Sequence, residues 1–352
     1  GDFQTMVAQC ASATKRPYTR LGVGACAINL LLGLTPEIAA SMLKSAFLLN
    51  SAGQSTEGFW IDTAAELCRN TLGVLSFLPE HYSLQGLYRY IFEVSWQVEC
   101  TEKLEHLRSA LNNEQQRLLA NYERYQAQIF DRFDEKVKAG VLATLAQVLS
   151  PFNHPDLIDT FCVTTSQQKE HHFESVLEGE IFLVDLPLSR WGLGAKVVYT
   201  LLKLRLFNIM QQRTTRQEWN QSRYVFLMCD EYQEIVSASR DGLSDLNFWD
   251  KSRSSKTIGI ISAQSISSFY AALSTRDMAH ALLQNFRQKI CLRTEDDATI
   301  QYFNRLLGTA EIMELSYSRS EGSSSGKHGS HHQNTGTTLS RRQRAVLDGQ
   351  FF

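Results

Sequence analysis

The stretch YVFLMCDEYQEIV, residues 224–236, is an apolar run that stops abruptly at two adjacent carboxylates, Asp230 and Glu231. Val, Phe, Leu and Met in succession read as a strand of a parallel sheet, buried on both faces. Ligands of open parallel sheets collect at the carboxyl ends of the strands. Two carboxylates at one such end repel each other, so a cation or an arginine has to offset them. A nucleotide hydrolase has a use for this pattern. Its first acid joins the magnesium shell and its second orients or deprotonates the attacking water. The same residues also fit an ordinary strand end entering a polar turn, so the neighbours decide.

Around this stretch, strands and helices alternate. Residues 179–187, 223–230, 256–264 and 288–294 read as strands, and 194–213, 241–252, 276–285 and 297–308 as helices. Continuous apolar strands separated by helices predict an α/β fold with a covered parallel sheet. Upstream, residues 36–50 and 58–78 read as helices, the latter on the spacing of Phe59, Ala64, Leu67, Thr71 and Val74. Residues 102–148 are charged and helical, with Leu118, Tyr122, Tyr125, Ile129, Phe133 and Val137 near helical period. Little strand signal precedes about residue 170.

Other strand ends are polar as well: Asp185, Gln264, and Arg293 with Thr294. Gln264 lies one strand–helix unit after the acids, and an amide there can reach a γ-phosphate or a lytic water. Lys251, Arg253 and Lys256 cluster between the two motifs. They read as a solvated loop, as phosphate contacts that ignore sequence, or, for Arg253, as a group acting on a neighbour's nucleotide. A phosphate loop, G-x-x-x-x-G-K-[ST], is absent from the sequence. The near miss GSSSGKHG (322–329) is one residue short and carries His328 where a metal-binding hydroxyl belongs. His328, His331 and His332 lack acidic or cysteine partners at fixed spacing, so a metal site there is not expected.

Composition narrows the class. A net charge of -2 excludes a global basic field, so any nucleic-acid contact has to come from a local patch. Seven cysteines are scattered singly, which reads as reduced thiols in a cytoplasmic compartment. The most apolar stretch, residues 28–49, holds Pro36, Glu37 and Lys44, which a membrane span rarely carries. Residues 316–340 are rich in Ser, Gly and His and predict a loose loop.

These motifs together resemble the type IV secretion and conjugation coupling proteins of the TraG/TraD group, which are motors related to FtsK and HerA. FLMCDEYQEIV (226–236) resembles the family's Walker B strand, and TIGIISAQSISSF (257–269) the motif that follows it. LEGEIFLVDLPLSRWG (177–192) is similar to the strand before Walker B. LLQNFRQKICLRTEDDATIQYFNRLLG (282–308) is similar to the next strand and helix, with Asn285 ahead of the strand. STEGFWIDTAAELCRNTL (55–72) resembles the start of an inserted all-α domain, and the opening GDF the end of a strand that follows the Walker A helix. The Ser/Gly-rich stretch and RAVLDGQFF (344–352) resemble the family's loose loop and the segment after it.

The resemblance implies a RecA-like P-loop NTPase sheet that lacks its Walker A unit, with an all-α insertion. The implied parts are 1–50 as a remnant of the nucleotide-binding domain, 51–172 as the inserted domain and 173–312 as the nucleotide-binding domain with Walker B. Residues 313–340 would be a low-complexity loop and 341–352 a tail. It implies ATP and Mg2+ as cofactors, Asp230 on the metal, Glu231 as base and Gln264 as γ-phosphate sensor. Implied partners are DNA of either strandedness, a relaxase or relaxosome, secretion-channel proteins and copies of the chain in a hexamer. The implied place is the cytoplasmic face of the bacterial inner membrane, with the anchor and Walker A in a preceding segment and this chain a fragment that is inactive by itself. Two other readings stand beside this one: a non-catalytic adaptor that recruits cargo through its helices, and an FtsK/HerA-like DNA pump outside secretion. The long helical block argues against the pump.

Overall fold

A computed structural model describes residues 2–49, 58–164, 173–238, 242–323 and 331–346. The chain forms two compact units, Gly1–Ala263 with Phe269–Arg287, and Gln264–Ser268 with Gln288–Phe352.

The first unit opens with helix α1 (Asp2–Ala13) and the short strand β1 (Tyr18–Leu21). Asp2 and Phe3 of the opening GDF, expected at a strand end, therefore lie at the start of a helix, in a segment whose Ala and Gln residues favour helix. The sequence does not predict β1, because four residues give too short a pattern to register. It pairs in parallel with β2 (Ile181–Val184), Tyr18 opposite Ile181 and Leu21 opposite Val184. The helices α2 (Pro36–Phe47), α3 (Gly58–Leu75), α4 (Leu84–Phe92), α5 (Val94–Arg108), α6 (Asn113–Gln128), α7 (Glu135–Leu149) and α8 (Pro155–Phe161) come between these two strands. The helical block is thus inserted between two hydrogen-bonded neighbours of one sheet.

Local chemistry fixes the helix starts. Thr35 accepts from the Ile38 N–H with Pro36 in the first turn, and Asn112 and Gln115 form a reciprocal capping box. Asp134 caps α7 through two N–H groups. In α3, Ala64, Leu67, Thr71 and Val74 are buried as their spacing predicts. Phe59 is 54% exposed, because it sits in the first turn, ahead of the buried stripe. Leu118 (44% exposed) and Ile129 (49%) also lie outside the core that their stripe predicts, while Leu119, Tyr122 and Tyr125 are inside. The chain breaks after Arg108 and again after Gln128, so the helical phase restarts and one long stripe cannot persist.

His81, between α3 and α4, packs edge-on against Trp96 of α5 and accepts from Lys103 Nζ at 2.9 Å. Burial and the Lys103 ammonium hold its pKa below the usual value, against the pull of Glu80 at 3.5 Å and of Glu99. A folded-state pKa below the unfolded one gives stability that is present above the unfolded value and lost as pH falls toward the folded one. The chain should therefore lose stability between pH 7 and pH 5, and His81→Gln should lose less over the same interval. Urea unfolding at both pH values checks this; equal losses would exclude His81 as the cause.

Helix α9 (Leu188–Arg213) is the longest described helix of this unit and is kinked at Gly192, where φ is 48°. It carries three buried cations. Arg205 donates to the carbonyls of Asn29 and Leu30 at 3.0 and 3.1 Å, and Arg213 to that of Arg223 at 3.0 Å. The third, Lys203, belongs to the site below. Strand β3 (Val225–Cys229) pairs in parallel with β4 (Thr257–Ile261), Val225 opposite Thr257 and Cys229 opposite Ile261. The sequence predicts that both faces of this pair are covered. Phe226 (55% exposed), Met228 (61%) and Ile260 (48%) instead share an open face. Among the described residues each parallel pair remains two-stranded. Helix α10 (Asp245–Phe248) is one turn, much shorter than the helix expected over 241–252, and α12 (Arg276–Leu283) follows the expected 276–285 closely. Helix α11 (Ile266–Ala272) spans the division between the units.

In the second unit, Asp296 caps α13 (Asp297–Leu307) by accepting from the Thr299 N–H at 2.9 Å and from Ser267 Oγ at 2.6 Å. Gly308 ends the helix with φ 76°. The strand expected at 288–294 is not formed. Ile290 is 89% exposed and Leu292 79%, since no neighbouring strand pairs this stretch among the described residues. The loose loop expected at 316–340 is largely replaced by a long antiparallel ribbon of β5 (Thr309–Ser323) and β6 (His331–Ala345). Backbone pairing does not depend on apolar side chains, and Leu315 opposite Leu339 with the Arg342–Glu314 pair at 3.1 Å adds cross-strand contacts that composition does not reveal. Among the described residues no helix is long and apolar enough to cross a membrane.

Candidate functional site

Parallel pairing sets the carboxyl ends of β3 and β4 side by side. Asp230 follows Cys229 at one end and Ser262 follows Ile261 at the other, and Ser262 N–H donates to the Cys229 carbonyl at 3.0 Å. Ser262 Oγ donates to Asp230 Oδ1, and the Glu231 N–H donates to the same oxygen at 3.0 Å. Asp230 is exposed, and both of these bonds fall on one of its two oxygens. Glu231 then adopts φ 51° and ψ 45°, the left-handed region that a residue with a Cβ seldom occupies. Such strain persists only where the surroundings over-determine it. Here the next N–H, of Tyr232, donates to the Ser262 carbonyl at 2.9 Å, and Gln233 Nε2 donates to the Glu231 carboxylate.

Behind this turn lies a buried polar cluster. Lys203 of α9 ion-pairs with Asp245 and donates to the Ile235 carbonyl. Both side chains are essentially inaccessible, at 1% and 0%. Asp245 Oδ1 accepts from Tyr232 OH and from Trp249 Nε1 at 3.1 Å. Its Oδ2 accepts from the Ser237 N–H at 2.7 Å and from Ser237 Oγ at 2.9 Å. Burial drives the Lys203 pKa down and the Tyr232 pKa far up, so the phenol stays a donor. Burial also pushes the Cys229 thiol up to about 11. Lys196, two turns before Lys203 on α9, pairs with Glu234.

Asp230 and Glu231 are thus brought together with Ser262, which the sequence alone does not single out. Lys251, Arg253 and Lys256 lie in the turn before β4, at its amino end. In a parallel pair that end is opposite the acids, about 17 Å away over five residues of strand. Arg253 therefore does not reach the acids of its own chain. Lys256 Nζ lies 5.4 Å above the Tyr224 ring. Gln264, two residues past Ser262, is exposed and opens the second unit. Asp185 ends β2 and pairs with Arg20 of β1 at 2.6 Å. Asn285 donates to the Ala281 carbonyl at 3.3 Å, closing the end of α12. Arg293 is exposed, with no strand to end. Most of the near-miss loop at 322–329, His328 included, lies outside the described residues.

Among the described residues no three His, Cys, Asp or Glu side chains gather to hold a metal ion. That fits magnesium rather than excluding it. Magnesium keeps several waters and takes one or two carboxylates plus phosphate oxygens, with no all-protein cage. An exposed Asp230 beside the Ser262 hydroxyl is a donor set of that kind.

Over residues 38–351 the sequence matches the family described as the type IV secretion-system coupling protein DNA-binding domain. The chain belongs to this coupling-protein family. The resemblance to the TraG/TraD group therefore stands. A sequence search among curated proteins finds no match. Among solved structures, the chain is similar to the bacterial conjugative coupling protein TrwBdeltaN70 in its unbound monoclinic form. The TM-score is 0.62 at 12% identity, over 95% of this chain and 67% of that one. It is similar to TrwB in complex with the ATP analogue ADPNP, with a TM-score of 0.58 at 13% identity, over 84% of this chain and 64% of that one. TrwB in complex with ADP and Mg2+ gives a TM-score of 0.52 at 12% identity, over 77% and 57%. The chain accordingly shares the fold of TrwB, the RecA-like α/β fold with a helical domain that the family resemblance implies.

Proposed function

We propose that this chain is the motor part of a coupling protein that uses ATP to drive DNA, or a nucleoprotein, into a type IV secretion channel. One observation carries the reading: Asp230 and Glu231 stand together at the carboxyl end of a parallel strand, with Ser262 at the neighbouring end, in a coupling-protein chain. Asp230 would hold the Mg2+ that accompanies ATP, and the ion would neutralise charge on the phosphates. Glu231 takes the proton of the attacking water. Gln264 senses the γ-phosphate. The chain works in a ring, a hexamer in the intact assembly, where service to a neighbour's nucleotide is the alternative to a DNA contact for Arg253, which lies at the end of β4 away from its own acids. Lys251, Arg253 and Lys256 contact DNA phosphates without reading sequence. Residues 51–172 are the inserted all-α domain, and the relaxosome and channel proteins are partners. The site of action is the cytoplasmic face of the inner membrane.

The test is ATP turnover by the full-length protein with and without DNA, over a salt series. DNA should raise turnover at least tenfold at low salt. Replacing Lys251, Arg253 and Lys256 by Ala should weaken DNA binding uniformly across sequences and make its salt dependence shallower, by about one unit of log–log slope for each phosphate that is no longer neutralised. DNA binding without ATP turnover would favour the adaptor reading. An unchanged salt slope would remove the basic turn from the DNA surface.

A further inference from the structure

The turn after the two carboxylates is held at unusual depth for a loop. Its first side chain, Tyr232, is fully buried and donates through its hydroxyl to Asp245. Its middle, the Ile235 carbonyl, accepts from Lys203. Its end, Ser237, gives both an N–H and a hydroxyl to the same Asp245 carboxylate. One buried ion pair thus grips the segment 232–237 at three points, from the residue that directly follows Glu231. Ile235 and Val236 of the same turn are buried as well, but apolar packing is non-directional, and the hydrogen bonds to the ion pair are what fix the path of the backbone. The left-handed backbone of Glu231 is the conformation such a grip can enforce.

We infer that Tyr232, anchored on the Lys203–Asp245 pair, is a positioning residue that aims the Glu231 carboxylate. The inference rests on Glu231 acting as the base. The anchor does not touch nucleotide or water; it acts through the backbone it shares with Glu231. Asp245 also begins α10, which leads into the turn bearing Lys251 and Arg253, so one carboxylate ties the acidic turn to the basic one.

The test uses the full-length protein and Tyr232→Phe, which keeps the ring and removes only the hydroxyl. Asp245 Oδ1 retains the Trp249 donor, so this variant should fold. Without nucleotide, hydrogen exchange across 231–237 should rise at least tenfold while the rest of the chain is unchanged. With ATP, kcat should fall ten- to a hundredfold and KM should stay within twofold, because a mis-aimed base affects the chemical step and not binding. The decisive measurement is the double variant. If Tyr232 works through Glu231, adding Tyr232→Phe to Glu231→Gln should leave the residual rate as it is. A loss of the same factor in both backgrounds, or full kcat in Tyr232→Phe, would overturn the inference. Full activity of Glu231→Gln alone would overturn the assignment of the base instead, so the two failures are distinguishable.

Discussion

Glu231→Gln should lower the ATP turnover of the full-length protein by about 10²–10⁴-fold, the usual contribution of a positioned general base, while nucleotide affinity stays within a few-fold. The substitution keeps the shape of the side chain and removes the proton acceptor. It also keeps a carbonyl oxygen that can accept from Gln233, so the left-handed turn has no new reason to relax. Asp230→Asn makes the contrasting case. Asp230 accepts from Ser262 and from the Glu231 N–H, and as the proposed magnesium ligand its charge serves binding. That variant should raise the ATP concentration needed for half-maximal turnover, and added Mg2+ should partly restore it. Steady-state hydrolysis over an ATP and magnesium grid separates the two. Turnover that survives Glu231→Gln would move the base elsewhere.

How much of this is legible in the sequence differs by residue. The acids are legible because an apolar run that ends in two carboxylates leaves few interpretations. β2, β3 and β4 are legible because each is apolar and bounded by polar turns, and α9 and α13 because their periodicity is long. β1 is not, since a four-residue strand has no pattern to read. The stretch 288–294 reads as a strand by composition, yet strand formation needs a neighbour, which composition does not supply. The ribbon of β5 and β6 fails in the opposite direction, because pairing by backbone leaves no apolar signature in a Ser/Gly-rich segment. Ser262 becomes significant only through the register that sets it beside Asp230. Lys203 does leave a trace: a lysine inside TLLKLRLFNIM, residues 200–210, is a charge in an apolar helix and needs a buried partner. Nothing in the sequence names Asp245 as that partner, because the bond joins residues 42 positions apart.

That buried pair gives the largest expected effect on stability. Asp245→Ala should cost about 3–5 kcal/mol, the usual penalty for leaving one member of a buried ion pair alone. Five donors converge on this carboxylate, from Lys203, Tyr232, Trp249 and twice from Ser237, and truncation removes the acceptor they share. The double variant Lys203→Met with Asp245→Leu should cost clearly less than the two single changes added together, since it removes the charge along with its partner. The pH dependence follows from burial, which lowers the Lys203 pKa. A depressed folded-state pKa means that the unfolded chain binds the proton more tightly, so stability rises with pH across the interval up to the unfolded value. Asp245 is the main group that opposes that depression, so without it the depression deepens, and the deficit of Asp245→Ala relative to the parent should shrink as pH is raised from 7 toward 10. Urea unfolding at three pH values measures it. A deficit that stays constant would show that Lys203 binds its proton equally in parent and variant, so that Asp245 does not set its titration, and one that grows would contradict the pairing.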